Sequence, residues 1–280
     1  MPWKYTEEYY REYTRTTWNE AVQSWTAIMG KLLPYRQEVV ADLAPKAGEK
    51  LLDLGTGTGE PALTLAESVG RSGSVVGIDL SEKMIERAIE NAHQRGASNT
   101  SFQVMDCTQL RFPDASFDGA VSAFGFQIFT DPDSAAKETL RVLRPGGRLS
   151  LVVWSTGDRV PFLDVVVAPM LKHAEPDETG YIPTPYELGA EGQMVEFLHS
   201  MGFRGATERR VTHPVHFRDA DDYLTGLLEG TPLGHSLGEE TKEVQAEVLR
   251  DTRANLAKYT GPGGIVLPGE AVVVTAHKGG

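Results

Sequence analysis

An apolar run ending in alternating glycines, Leu51-Leu52-Asp53-Leu54-Gly55-Thr56-Gly57-Thr58-Gly59-Glu60, constrains this chain more than any other stretch. It reads as a buried strand, a tight turn and the opening of a helix. Glycine suits such a turn because it tolerates unusual backbone angles and lets a ligand approach the main chain without Cβ atoms in the way. The alternation then repeats. Strands are predicted at residues 50–54, 74–80, 100–106, 117–124 and 148–154, with helices at 60–69, 81–95 and 131–143. Ser81 and Asp131 are helix-capping types, Pro132 suits a first helical turn, and Gly96 and Pro145-Gly146-Gly147 are stop signals. Near-continuous apolar strands alternating with helices specify an α/β fold of Rossmann-like type, a mostly parallel sheet covered on both faces.

The flanks are less regular. Helices are predicted near residues 161–173, 189–201, 220–229 and 238–259, with a strand at 206–215 and a last one at 271–277. Helical insertions between the late strands would make residues 155–265 the elaboration that shapes a substrate pocket. At the other end, residues 1–45 read as helical. Trp18, Val22, Trp25 and Met29 recur at helical spacing and share one face. That face suits packing on the core, and equally a lid over a ligand. The expected organisation is therefore a lid segment at 1–45 and one domain at 46–280.

Bulk properties narrow the function classes. The 280 residues carry a net charge of −12, and the arginines at 141, 144, 148, 204, 209 and 210 are interspersed with acids or turn residues. Such a surface argues against a nucleic-acid partner. Cys107 is the single cysteine, so no internal disulfide forms, and no metal-ligand spacing stands out. The longest apolar run, residues 160–171, is too short to span a bilayer, and the acidic, aromatic N-terminus lacks a signal-peptide core. A cytoplasmic protein without a transmembrane segment is expected, acting on a small molecule, with a homodimer as the assembly if it self-associates.

The charge beside the glycine turn distinguishes ligands. A dinucleotide fingerprint reads G-x-G-x-x-G, whereas this chain reads G-x-G-x-G with Asp53 two residues before the first glycine. A carboxylate there repels a diphosphate and favours the ammonium of an amino-acid moiety, which points to S-adenosylmethionine rather than NAD. Asp79 ends the second strand, placed to accept ribose hydroxyls, and Asp106 ends the third beside Cys107. Ser122 and Phe124 end the fourth. An open α/β sheet binds its ligand along this edge.

Several stretches resemble class I S-adenosylmethionine-dependent methyltransferases, and within them the ubiquinone/menaquinone-biosynthesis group: residues 51–60, 76–84, 104–107, 116–118, 124–126 and the Arg-Val-Leu-Arg-Pro-Gly-Gly-Arg-Leu run at 141–149. The chain departs from that group after Phe126, where Gln127-Ile128 replaces its Arg-Asn pair. The resemblance implies a seven-stranded sheet with an antiparallel last strand. It also implies a cofactor site formed by Asp53, Gly55, Thr56, Gly57, Gly59, Asp79, Leu80, Met84, Asp106, Cys107, Ser122 and Phe124. In it Asp53 and the glycines face the methionine part, Asp79 the ribose and Asp106 the adenine.

Methyl transfer to a small, hydrophobic acceptor, at oxygen or carbon by in-line displacement, is the expected activity. A phenol, hydroxyl or aromatic carbon gains from a general base, and His213 and His216, at the end of the sixth strand, are the candidates. Trp18, Trp25, Phe126 and Gln127 are the expected lid and substrate contacts, the aromatics offering faces to a sulfonium. A cofactor-binding regulator or partner protein of the same fold, or an aminopropyl-transferase-like enzyme, is the alternative.

Overall fold

The computed structural model describes residues 7–173 and 185–280. Its centre is β1 (Lys50–Leu54), flanked by β2 (Ser74–Asp79) and β4 (Phe117–Ala123), both parallel to it. Beyond β2 lies β3 (Thr100–Val104), and beyond β4 lies β5 (Leu143–Trp154). The helices α3 (Ala62–Val69), α4 (Glu82–Arg95) and α5 (Pro132–Val142) connect these strands. Two long strands, β6 (Arg204–Phe217) and β8 (Gly264–His277), complete the path β3-β2-β1-β4-β5-β8-β6. A two-residue β7 (Thr260–Gly261) pairs with β8 off that path. β8 runs antiparallel to both β5 and β6. The strand order reverses between β1 and β4, and the carboxyl ends of those strands open the crevice where such sheets bind ligands.

Local chemistry sets the helix ends as expected. Ser81 accepts from the Met84 N–H at 3.0 Å and Asp131 from that of Ser134 at 3.0 Å. Gly96 closes α4 with φ +63°. Alternation along β1 divides the core between the two faces of the sheet. Leu51 packs with Tyr35, Val39 and Leu65 on one side, and Leu52 and Leu54 pack with Ile78, Phe117 and Leu149 on the other. Asp53, with the parity of Leu51, therefore faces α2 (Leu33–Leu43).

The remaining helices are α1 (Glu7–Lys31), α6 (Pro161–His173), α7 (Gln193–Ser200), α8 (Ala220–Gly230), α9 (Pro232–Gly238) and α10 (Lys242–Leu256). Several boundaries differ from expectation. β5 begins at Leu143, passing through the Pro-Gly-Gly run, because Phe117 and Leu143 pair across the strands. β8 is twice the expected length because fourteen-residue β6 gives it a partner along most of its course. The helix expected over 238–259 is the shorter α10, since Gly238 ends the separate helix α9 before it and Thr241 caps α10 by accepting from the Val244 N–H. Among the described residues no helix is long and apolar enough to cross a membrane.

Candidate active site

The carboxyl ends of β1 to β4 open into a cavity of about 820 Å³. Gly55, Thr56 and Gly57 form one wall, Asp79, Leu80 and Met84 the next, and Asp106 and Cys107 the third. Gly55 and Gly57 have φ +70° and +53°, angles that disfavour side chains. A Cβ on Gly57 would stand 3.4 Å from the Trp25 indole nitrogen, so the space over the turn is bounded by α1 there.

Asp79 organises the turn. Its two oxygens accept from the Gly57 and Ser81 N–H groups, each at 2.9 Å, and burial raises the pKa of its carboxyl above the usual range. A carboxylate has about four acceptor sites, so the bonds from the turn and the helix start leave capacity for a ligand hydroxyl. Asp106 accepts from the Thr108 backbone and hydroxyl, both at 2.8 Å, and pairs with Arg11 of α1 at 2.7 Å. Burial, with Asp106 and Asp79 nearby, pushes the Cys107 thiol up.

Asp53 lies behind the turn and does not line the cavity. It is fully buried, with Oδ2 accepting from the Thr56 hydroxyl at 2.6 Å and the Ala62 N–H at 3.1 Å, while Oδ1 has no hydrogen-bond partner. Burial raises its pKa to about 7, opposed by those two bonds. Gly59 and Ser122 are also behind the wall. Ser122 donates to the Leu54 carbonyl at 2.9 Å, tying β4 to β1. Phe124 reaches the cavity from a left-handed backbone, φ +63°, held by its N–H bond to Val152 and by stacking on Trp154 at 4.3 Å. Strain of this kind is concentrated at binding sites.

Beyond the turn the lining becomes apolar: Ile28, Leu32, Phe126, Trp154, Phe162, Met170, Leu227 and Leu237 surround the deeper chamber. Gln127 lines it too, but its carbonyl oxygen accepts from the Trp154 N–H at 2.8 Å and fastens the loop after β4 to the end of β5. Trp18 and Trp25, in edge-to-face contact at 5.0 Å, bring α1 over the opening. α1 bridges both sides. Asn19 holds Ser81 at 2.6 Å, Arg15 holds Glu82 at 3.0 Å, and Tyr13 meets Ser236 of α9 at 3.0 Å.

Neither histidine proposed as a base reaches this space. His213 points from edge strand β6 to Glu38 at 3.0 Å and lies edge-on against Tyr35. His216, one step out of phase with it, is exposed, and its carbonyl accepts from Lys31 at 2.7 Å. The expectation placed them at the correct end of the sheet, but α2 lies between β6 and the cavity. Replacing either by alanine is therefore expected to leave kcat within about threefold, against the ~10²- to 10⁴-fold that a general base contributes. Turnover measured on His213→Ala and His216→Ala checks this, and a hundredfold loss in a folded variant restores the histidine to the reaction.

Sequence reasoning missed Arg36 and Glu60, both cavity-lining and both buried. Glu60 pairs with Arg95 and accepts from the Thr64 hydroxyl at 2.8 Å. Arg36 carried a readable signal, since it precedes Val39, Val40 and Leu43 by three, four and seven residues and so shares their buried stripe.

Residues 51–147 match the methyltransferase-domain family. The chain is 32% identical to the demethylmenaquinone methyltransferase of Bacteroides fragilis over 149 residues, covering 49% of this chain and 61% of that one. It is 31% identical to the nocamycin O-methyltransferase of Saccharothrix syringae, covering 49% and 53%. The chain thus spans about three-fifths or less of the length of these relatives. The crystal structure of the YcgJ protein from Bacillus subtilis shares the fold, with a TM-score of 0.59, 21% identity, and coverage of 88% of this chain and 98% of that one. The domain match falls on the half of the sheet that bears the glycine turn and the strand-end acids, so residues 51–147 carry a methyltransferase domain.

Proposed function

We propose that the chain binds S-adenosylmethionine at the ends of β1 to β3 and transfers its methyl group to a small, mostly apolar acceptor in the deeper chamber. The observation that carries this reading is the continuity of the cavity. A polar wall of strand-end groups and an apolar chamber share one space of about 820 Å³, near the upper end of the ~300–1,000 Å³ typical of ligand sites. The donor's fit rests on the glycine turn, whose backbone leaves room that side chains would fill, and on the remaining acceptor capacity of Asp79 for ribose hydroxyls. Asp106 and Cys107 border the adenine position, and Leu80 and Met84 flank the nucleoside.

Bound there, S-adenosylmethionine supplies an electrophilic methyl on sulfur. The chain's own residues then have to align the acceptor and exclude water, and orientation of this kind is worth roughly 7–11 kcal/mol. Phe124, Phe126 and Trp154 give the cavity aromatic walls. No histidine or lysine is among the described lining residues, so a phenol or the ring carbon of a hydroquinone either arrives ionised or gives its proton to a lining carboxylate such as Glu187, Glu239 or Glu240. The names of the two curated relatives, one acting on demethylmenaquinone and one an O-methyltransferase, support that class. Within the expected lid segment, α1 acts as the cover, releasing and reforming its bonds to Ser81, Glu82 and Ser236 as ligands pass.

The test is incubation with methyl-labelled S-adenosylmethionine and a panel of phenols and naphthoquinols. Label in an acceptor is the expected outcome, at oxygen or carbon as the product's mass spectrum and hydrolysis resistance decide. Donor binding without transfer to any member of the panel would instead favour a regulator that only binds.

A further inference from the structure

Arg36 is 3% exposed, lines the cavity, and has its Nε and Nη1 buried without a hydrogen-bond acceptor. A buried guanidinium left in this state is costly, and such groups are normally paired. The acids closest in effect, Glu60 and Asp53, act on it only through space. Glu60 is already engaged by Arg95 and Thr64, and the bonded oxygen of Asp53 by Thr56 and Ala62. Among the described residues nothing therefore fills the fork of Arg36.

Its location says what should. The guanidinium lies over the Trp25 ring, 5.7 Å from the centroid, and the indole nitrogen of Trp25 stands 3.4 Å from where a Cβ on Gly57 would be, beside the turn. Arg36 is thus at the glycine-turn end of the cavity, behind which Asp53 sits, rather than deep in the apolar chamber. On the reading of the site given above, that end receives the amino-acid part of the donor, which carries one carboxylate. A planar fork of N–H donors fits a carboxylate with two parallel bonds, and the cation–π contact with Trp25 helps hold the guanidinium in place.

We propose that Arg36 is the receptor for the α-carboxylate of the donor's amino-acid moiety, and that it makes the site selective for S-adenosyl amino acids over simpler adenosyl thioethers. Asp53 then answers the adjacent ammonium through the turn, so the two halves of the zwitterion meet opposite charges.

Calorimetry of the full chain with three probes tests this: S-adenosylhomocysteine, its decarboxylated amine analogue, and methylthioadenosine. Wild-type protein is expected to bind S-adenosylhomocysteine about 10- to 100-fold more tightly than the decarboxylated analogue, the scale of a hydrogen-bonded charge pair. Arg36→Gln is expected to lose that preference, while its affinity for methylthioadenosine stays within about threefold of wild type. Equal binding of the first two probes by wild-type protein overturns the assignment. So does a parallel loss for methylthioadenosine in a folded variant, which would mark Arg36 as merely structural. If Arg36→Gln does not fold, the wild-type comparison alone decides. Failure of wild-type protein to bind any adenosyl probe would strike at the donor site itself, a different result from binding without carboxylate preference.

Discussion

Asp79→Ala is expected to weaken S-adenosylhomocysteine binding by about 10²- to 10⁴-fold. The magnitude comes from two ribose hydroxyls, each donating to a carboxylate, at roughly 1.5–3 kcal/mol per bond. Each Asp79 oxygen already holds one backbone N–H, from Gly57 or Ser81 at 2.9 Å, and those bonds fix the carboxylate where it lines the cavity. The same substitution frees the Gly57 N–H and loosens the turn, so part of the loss arises from a less ordered loop. Asp79→Asn separates the two contributions. It keeps one good acceptor and a side chain of the same shape, and should fall between alanine and wild type. Titration calorimetry on proteins with matched circular dichroism gives the comparison. An affinity for S-adenosylhomocysteine within about threefold of wild type in Asp79→Ala would remove the ribose contact from the site.

Asp79 was legible in the sequence because everything that places it is local. A strand of Val and Ile ends, a serine caps the next helix, and the acid between them has nowhere to go but the crevice edge. The glycine turn is legible for the same reason. Legibility fails where a neighbour distant in the chain decides the outcome. His213 and His216 are at the right end of the right strand, yet the packing of α2 on β6 directs His213 to Glu38, and strand parity sends His216 to solvent. The left-handed Phe124 is a second case. A sequence reader assigns such an angle to the glycine that follows, whereas the stack on Trp154 and the edge contact with Tyr35 hold the aromatic residue there instead. The chamber is a third. Its walls come from α1, α6, α8 and α9, whose order around the sheet edge follows from the long β6–β8 pairing that short apolar runs did not reveal. Arg36 was within reach of periodicity alone, but a cation on an apolar stripe is conspicuous only once the stripe is known to be buried.

Asp53→Asn should make the protein more stable at pH 8 while making it a poorer binder of the donor. In the folded chain the Asp53 pKa is raised from 3.8 to about 7, chiefly by complete burial, with Glu60 adding to the shift and Thr56, Ala62 and Arg36 opposing it. The folded state then holds a proton that the unfolded state has released between about pH 4 and pH 7. Stability from this group is complete below about pH 4 and is lost as pH rises through 7. A shift of about three pH units corresponds to about 4 kcal/mol. Asparagine cannot ionise, and its carbonyl can keep the bonds from Thr56 and Ala62. Its amide would occupy the place of the unpartnered Oδ1, at a cost of about 1–3 kcal/mol. The net gain at pH 8 is therefore about 1–3 kcal/mol, vanishing and then reversing in sign as pH falls below 6. Urea unfolding at pH 5, 6, 7 and 8 on both proteins reads this difference directly, other titrating groups being common to the two. Parallel profiles would mean that Asp53 titrates normally, and that the turn has no negative charge held at a cost. If instead the variant is stabilised at high pH and its affinity for S-adenosylhomocysteine falls, the instability of the empty site and its preference for an ammonium have one origin: a carboxylate kept dry beneath the turn, whose charge Thr56, Ala62 and Arg36 answer in part and the bound ammonium completes.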